Sequence, residues 1–445
     1  MTLKDKFRIL TEGAKYDVSC SSSGASRGAQ KGKIGLTNVG GVCHSFTADG
    51  RCISLLKVLM TNNCIYDCKY CINRTSSDIP RAMMSPEELC EIVMGFYTRN
   101  YIEGLFLSSA VFRTPDYTME LLIKTVRLLR QKYRFGGYIH MKAIPAASPE
   151  LIEQAAMLVD RMSMNIELPT SESLKLLAPQ KNKEAITKPM HQLSELYDEQ
   201  RYEPSPNRSL IPAGQTTQMI VGATPDTDGV IIRLSEGLYR KFSMKRVYYS
   251  AYVPMGDPAL LPVTPPNLLR ENRLYQADWL LRFYGFEADE LVPVNYNLPS
   301  DIDPKSDWAL RNMDKFPVEV NDAPYETLLR VPGIGVKNAW RIREARKYTR
   351  LDYDDLKRMR VVMKRAKNFL TINGKFYGGS LNTDVIHELL VLPEYKKNPT
   401  EQLRLFPDET PVLAAARQSR LLSEAREAPP PPAFWSVRRM ARSPG

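Results

Sequence analysis

The sequence predicts an α/β fold, six βα units around a parallel sheet, followed by a small all-α module. Three observations carry that reading. Short apolar runs alternate with amphipathic stretches from Arg51 to about Pro265, capping residues mark helix starts in step with that alternation, and beyond Pro265-Pro266 the pattern changes to basic helical segments punctuated by glycine.

Strands are expected at Ser54–Met60, Gly104–Ser109, Tyr138–Ala143, Arg161–Leu168, Thr217–Val221 and Val247–Tyr252, each a short apolar run. Ser85-Pro86-Glu87-Glu88 is a capping box with proline at the first helical position, and Ser148-Pro149-Glu150 opens another helix. From Asp116 to Tyr133, Met119, Leu122, Ile123, Val126 and Leu129 share one face, as a helix packed outside a sheet requires. Residues 1–50 form an extension rich in Ser and Gly, with a mobile loop expected at Ser21–Gly24. The βα region spans 51–265, a connecting, substrate-side segment 266–310, and the helical module 311–372. Residues 373–445 form a C-terminal segment whose end, with Pro429–Pro432 and Arg438-Arg439, has the composition of a disordered tail.

The chain has 445 residues, 43% hydrophobic and 25% charged, ordinary for a soluble protein and enough for two domains with appendages. It holds no apolar run long enough for a membrane span, and Met1–Phe7 lacks a signal-peptide core, so a cytoplasmic protein without a membrane partner is expected. Seven cysteines, all within the first ninety residues, make a poor disulfide framework and suit a reducing compartment. The net charge is +11, and between Arg330 and Leu370 thirteen Lys or Arg stand against four Asp or Glu. Such a concentration is the footprint of a polyanion partner, a solvated helical face being the plainer alternative.

Cys64, Cys68 and Cys71 directly follow the first strand of the βα region. Thiolates on one loop can converge on one iron-sulfur cluster, and three ligands rather than four leave one iron open to a substrate or cofactor. Zinc or inert thiols are the alternatives, but a structural zinc wants a fourth close ligand, and downstream only Cys90, within a helical pattern, is near. The spacing C-x3-C-x2-C, with Tyr70 just before the last cysteine, resembles the signature of the radical S-adenosylmethionine (SAM) enzymes. The resemblance implies a partial (β/α)6 barrel with the cysteine loop at its catalytic face. It further implies a [4Fe-4S] cluster on Cys64, Cys68 and Cys71, with SAM chelating the fourth iron. One electron, from a donor such as flavodoxin or ferredoxin, then yields a 5′-deoxyadenosyl radical that abstracts hydrogen from carbon, while the protein binds, orients and excludes water.

Tyr70 is a candidate cofactor contact by its place in the motif. The Gly-Gly-Glu-like turn that often follows the family's second strand is absent. Ser108 and Ser109 stand there instead, able to meet the SAM amino group or simply to cap the next turn. In Met162–Glu167 the polar residues Ser163, Asn165 and Glu167 alternate with apolar ones, which suits a barrel interior facing a polar cofactor or a solvent-facing edge strand. Asn165 and Glu167 are candidate cofactor contacts, and Lys142, on an otherwise apolar strand, is another. Cys20, Cys43, His44 and Cys52 offer a second metal site or free thiols.

Val320–Ala339 resembles the helix-hairpin-helix DNA-binding motif, a strong match that runs on to Leu370. Asn321 or Asp322 is expected to cap its first helix and Pro324 to fit the first turn. Pro332-Gly333-Ile334-Gly335 forms the hairpin, where Gly333 and Gly335 let a phosphate approach backbone amides, and Lys337 and Arg341 add charge; Ile334 as a core plug is the purely structural reading. Contacts of this kind bind DNA without sequence preference. Gln402-Leu403-Arg404-Leu405-Phe406 resembles the pentapeptide that grips the bacterial sliding clamp. The ordered chain, including Arg273–Gly285, resembles the putative DNA modification or repair radical SAM proteins, a family associated with uracil-DNA-glycosylase-like companions. The expected function is therefore radical SAM chemistry on a nucleotide in DNA. The rivals are a tRNA- or RNA-modifying radical SAM enzyme and a non-catalytic iron-sulfur DNA-binding protein.

Overall fold

In the computed structural model, residues 1–14, 42–46, 52–202, 210–254, 260–264, 266 and 268–391 are described. In chain order the elements are α1 (Leu3–Gly13), β1 (Val42–Phe46), β2 (Cys52–Leu59), α2 (Pro86–Tyr97), β3 (Gly104–Ser108), α3 (Pro115–Arg127), β4 (Tyr138–Lys142), α4 (Pro149–Ala156), β5 (Arg161–Ser163), α5 (Ser171–Leu177), α6 (Lys183–Tyr202), β6 (Gln215–Val221), α7 (Asp228–Phe242) and β7 (Arg246–Ala251). After these come α8 (Leu268–Phe283), α9 (Ala288–Leu291), α10 (Pro304–Arg311), β8 (Val318–Glu319), α11 (Tyr325–Arg330), α12 (Val336–Ala345), α13 (Tyr353–Arg358), α14 (Met363–Ala366), β9 (Leu370–Ile372), β10 (Lys375–Phe376) and α15 (Thr383–Leu390).

All six expected strands form, and β2 to β7 pair in parallel in sequence order, a curled half-barrel with helices outside. The geometry follows from the strand pattern. Outward residues such as Leu56, Val58, Leu105, Leu107, Ile139 and Met141 join the helices in the main core, while Ile53, Leu55 and Phe106 form a separate inward cluster with Tyr138. Burial on both faces is why these strands read as nearly continuous apolar runs. Among the described residues the sheet does not close: β1 pairs antiparallel with β2 at one edge, and β7 is the other edge.

Several expectations are corrected. The strand expected over Arg161–Leu168 stops at Ser163; beyond it the segment still runs beside β6, with one isolated parallel bridge from Glu167 to Met219, but the regular ladder is broken and Glu167 takes a left-handed backbone with φ 65°. The helix expected from Asp116 to Tyr133 is α3 followed by a π turn at Leu128–Lys132. Ser85 caps α2 with the expected reciprocal box, but Ser148 opens α4 without a side-chain cap.

The C-terminal module is not all-α. Strand β9 pairs in parallel with β8 and antiparallel with β10. The Asn373-Gly374 turn, both residues at positive φ, closes the β9–β10 hairpin, and the Glu319 carboxylate accepts the amides of Asn373 (3.0 Å) and Gly374 (2.9 Å). Asn321 and Asp322 do not cap α11. Pro324 occupies the cap, and Asn321 instead holds Leu351, accepting its amide at 2.8 Å and donating to its carbonyl at 3.1 Å.

The module docks at the far end of the barrel from the cysteine loop. Helix α8 runs antiparallel to β7, since Glu271 accepts the Ala251 amide, Tyr275 meets Tyr249, and Arg282 donates to the Lys245 carbonyl. The hairpin attaches where α8 ends: Arg330 donates to the Gly285 carbonyl (3.0 Å), Lys305 to that of Ile334 (2.6 Å), and the Val336 amide to the Tyr284 hydroxyl. Cys20, Ser21–Gly24, Gln402–Phe406 and the tail lie outside the described residues, as do the side chains of Cys43, His44 and Cys52.

Candidate active site

The cysteine loop leaves β2 at the carboxyl end of the sheet, where βα architectures place chemistry. Its backbone is pinned by one side chain. The Arg81 guanidinium donates to the carbonyls of Asn62 (2.6 Å), Asn73 (3.0 Å), Arg74 (2.6 Å) and Ser77 (2.8 Å). Within the loop, Asp67 accepts from the Lys69 ammonium (2.6 Å) and the Ser76 hydroxyl (2.5 Å), which with the Ser76 amide lowers its carboxyl to about 2. The loop is further tied to its surroundings by Ile65 N donating to Val111 O and Lys69 N to Leu177 O. These contacts fix the three cysteines before anything binds.

Cys64, Cys68 and Cys71 all line one cavity, with Cys68 buried and the other two half-buried. Burial raises the Cys68 thiol and pushes that of Cys71 up to about 12, so forming thiolates there calls for a compensating positive centre. Among the described residues no three His, Cys, Asp or Glu side chains are grouped so as to hold a single metal ion. Cys90, by contrast, is buried in α2 with its sulfur 3.5 Å from the Thr125 carbonyl, an inert core thiol.

The same cavity is lined by Tyr70, Ser108, Ser109, Lys142, Asn165 and Glu167, so every cofactor contact expected from the sequence is brought together. Their states differ. Ser109 donates its hydroxyl to the Ala110 carbonyl at 2.7 Å, whereas Ser108 Oγ and Asn165 Oδ1 are buried with no partner in the protein. With the Tyr70 hydroxyl and Asn73 Oδ1, likewise buried without a hydrogen-bond partner, these make four orphaned polar atoms around three thiols, which fits a cluster carrying a polar, zwitterionic cofactor. Burial also raises the Tyr70 phenol, with the Glu167 carboxylate adding to the effect.

Glu167 has a partner that the sequence does not announce. Lys181 donates to it at 2.9 Å, and both side chains are largely buried. Burial opposes the ammonium, but Glu167 outweighs it and holds Lys181 well above the usual lysine range. Close by, burial brings Lys183 down to about 8, and its ammonium donates to the Leu168 carbonyl. Lys181, Lys183 and Arg81 carry no spacing signal; the fold alone brings them here. Gly333, Gly335, Lys337 and Arg341 are not at this site but in the module at the opposite end of α8.

Residues 58–199 match the family profile described as the Radical SAM superfamily, so the chain carries a radical SAM domain. Among solved structures, HydG, a maturase of the [FeFe]-hydrogenase, is similar over 50% of this chain and 48% of its own, at 13% identity and a TM-score of 0.38. The HydG of Carboxydothermus hydrogenoformans is similar over 50% of each chain, at 14% identity and a TM-score of 0.39. The chain thus spans about half the length of the solved structures it matches. No protein of curated function matches it. A radical SAM domain works with a [4Fe-4S] cluster and S-adenosylmethionine.

Proposed function

We propose that this chain is a radical SAM enzyme that modifies or repairs DNA, acting on a carbon of one nucleotide. In the cavity, Cys64, Cys68 and Cys71 would hold the cluster, Ser108 and Asn165 would receive polar groups of SAM, and Tyr70 with the Glu167–Lys181 pair would close the wall around them. When bound, the cluster and SAM supply one-electron chemistry that removes a hydrogen atom from carbon. The chain's own work is to fix both partners and keep water away.

The observation that carries the nucleic-acid reading is a set of cations without carboxylate partners. In the basic module, Arg343, Lys347, Arg350, Lys357 and Arg358 pair with nearby acids. Among the described residues exposed Lys337, Arg341, Arg360 and Lys364 have no such partner, and Asn338, next to Lys337, donates to the Arg360 carbonyl at 3.0 Å. Trp340, 53% exposed, stands among them on α12. Unpaired cations around an aromatic face suit a phosphate backbone with accessible bases. The helix, glycine turn and helix of α11 and α12 support the helix-hairpin-helix reading. A sliding clamp at Gln402–Phe406, a glycosylase-like companion and a flavodoxin- or ferredoxin-like donor complete the proposal.

Anaerobic incubation of the reconstituted enzyme with SAM and deuterated DNA tests it. Deuterium is expected in 5′-deoxyadenosine. Transfer RNA outcompeting both duplex and single-stranded DNA would instead establish an RNA-modifying enzyme, the rival that shares the phosphate chemistry.

A further inference from the structure

Helix α8 joins the barrel to the module, and one of its faces is uncovered. Asn272, Gln276, Trp279 and Phe283 are all exposed, and their spacing of four, three and four residues puts them in one stripe of the helix. The stripe runs lengthwise for roughly 16 Å. It starts beside Glu271, which accepts the amide of the cavity-lining Ala251, and ends beside Tyr284, whose hydroxyl meets the Val336 amide of the hairpin.

The solvent face of a surface helix is normally charged or polar; this one carries two large rings. Trp279 is 52% exposed and Phe283 45%, with ring centroids 4.3 Å apart. The Trp279 indole nitrogen donates to the Tyr284 hydroxyl, so the ring is held in place while half of it stays open. The Arg282 guanidinium lies 5.7 Å from the Trp279 centroid and 4.7 Å from that of Phe283.

Beside the stripe, α8 forms a groove of about 750 Å³ with the starts of β7 and α10 and with α14. Four arginines line it, Arg246, Arg273, Arg282 and Arg365, against two carboxylates, Asp278 and Asp303. Both carboxylates are taken, Asp278 by Arg282 at 2.9 Å and Asp303 by Arg365 at 2.8 Å. Arg273 is buried against the carbonyls of Pro299 and Ser300, which leaves Arg246 as the outward charge. Arg246 is exposed, its guanidinium stands 4.9 Å from the Tyr248 ring centroid and 5.4 Å from that of Tyr275, and among the described residues it forms no ion pair. An apolar partner would cover the rings and leave Arg246 and the two amides unmatched. Aromatic rings, side-chain amides and an unpaired guanidinium together suit unpaired bases on a charged backbone.

We propose that this face of α8 is a track for a single nucleic-acid strand, with bases stacking on Trp279 and Phe283 and a phosphate meeting Arg246. The track rests on the nucleic-acid reading of the function and extends it, because it lies between the module that would grip the polymer and the cavity that would act on it. It also selects for unpaired bases, since a base inside a duplex is already stacked and must be unstacked to be reached.

Fluorescence anisotropy of the reconstituted enzyme with labelled twelve-nucleotide oligo-dT, oligo-U and a duplex of equal length tests the track. Trp279→Ala should weaken oligo-dT binding about tenfold and leave duplex binding, which belongs to the module, unchanged. Trp279→Phe should keep most of the affinity, and Arg246→Ala should lower the single-strand salt slope by about 0.7, so the test stays decisive if W279A folds poorly. Single-strand affinity unchanged in both W279A and R246A overturns the track. An equal loss for the duplex overturns it too, and would reduce Trp279 to a tether for Tyr284. A wild-type dimer that W279A dissolves, with single-strand affinity unchanged, assigns the face to a second copy of this chain instead. Trp279-dependent binding of oligo-U without binding of oligo-dT or duplex keeps the track and removes DNA from the function. Duplex bound without either single strand keeps DNA and overturns the track.

Discussion

Two adjacent serines at the end of β3 show how much one hydroxyl's partner decides. Ser109 is committed to the Ala110 carbonyl, while Ser108 points a buried, unpartnered oxygen at the cavity. Ser108→Ala should therefore weaken SAM binding to the reconstituted protein by up to roughly tenfold, one hydrogen bond's worth, and Ser109→Ala should leave it unchanged. Equilibrium SAM titration of the two variants distinguishes them, and equal losses would place both hydroxyls on the cofactor. The three cysteines were readable because their chemistry lies in their spacing. Asn165 and Glu167 were readable as candidates from polar–apolar alternation, and Ser108 from its place at the end of the second strand of the βα region. Arg81 and Lys181 were not, because each acts on groups that only the folded loop brings within reach.

Among elements, the hairpin before α12 answers to packing first. Gly333 has φ 85°, and a Cβ there would stand 2.6 Å from the Val362 carbonyl oxygen. Gly333→Ala should cost about 2–4 kcal/mol in chemical denaturation, so lost DNA binding in that variant reports the fold of the module. K337A/R341A is the cleaner probe, expected to lower the slope of log affinity against log salt by about 2 with duplex DNA. Lys305, which anchors the hairpin, is brought down to about 7 by burial. The unfolded chain keeps that proton up to the ordinary lysine range, so the folded state is penalised at and below pH 7 and gains stability as pH rises. Relative to K305M, the wild type should gain on the order of 2 kcal/mol between pH 7 and 9 in denaturant titrations. Strands β2 to β7 were visible because apolar runs at regular intervals have few other uses. Strand β1, with Cys, His and Ser among its five residues, and the two-residue strands of the module are too short or too polar to register. Only Asn373-Gly374 marked that small sheet.

At the scale of the whole molecule, anchor and chemistry are separated. From Glu271, beside the end of β7, to Tyr284, beside the hairpin, α8 covers roughly 20 Å, about six nucleotides of one strand at the roughly 3.4 Å rise of a stacked duplex. Oligonucleotides shorter than that should reach the module or the cavity but not both, and should fail to stimulate 5′-deoxyadenosine release; equal stimulation by a dinucleotide and a twenty-mer would disconnect the two sites. Two-site engagement is also where affinity is gained without new contacts, since binding at one end raises the local concentration at the other. No helix among the described residues is long and apolar enough to cross a membrane. The unclosed sheet has its own consequence. With β1 and β7 left as edges among the described residues, the barrel lacks a wall on one side. A polymer lying across that gap would be the missing wall, so the molecule that donates the hydrogen atom would also seal the chamber against solvent and oxygen, and chemistry would start only once its own target had shut the door.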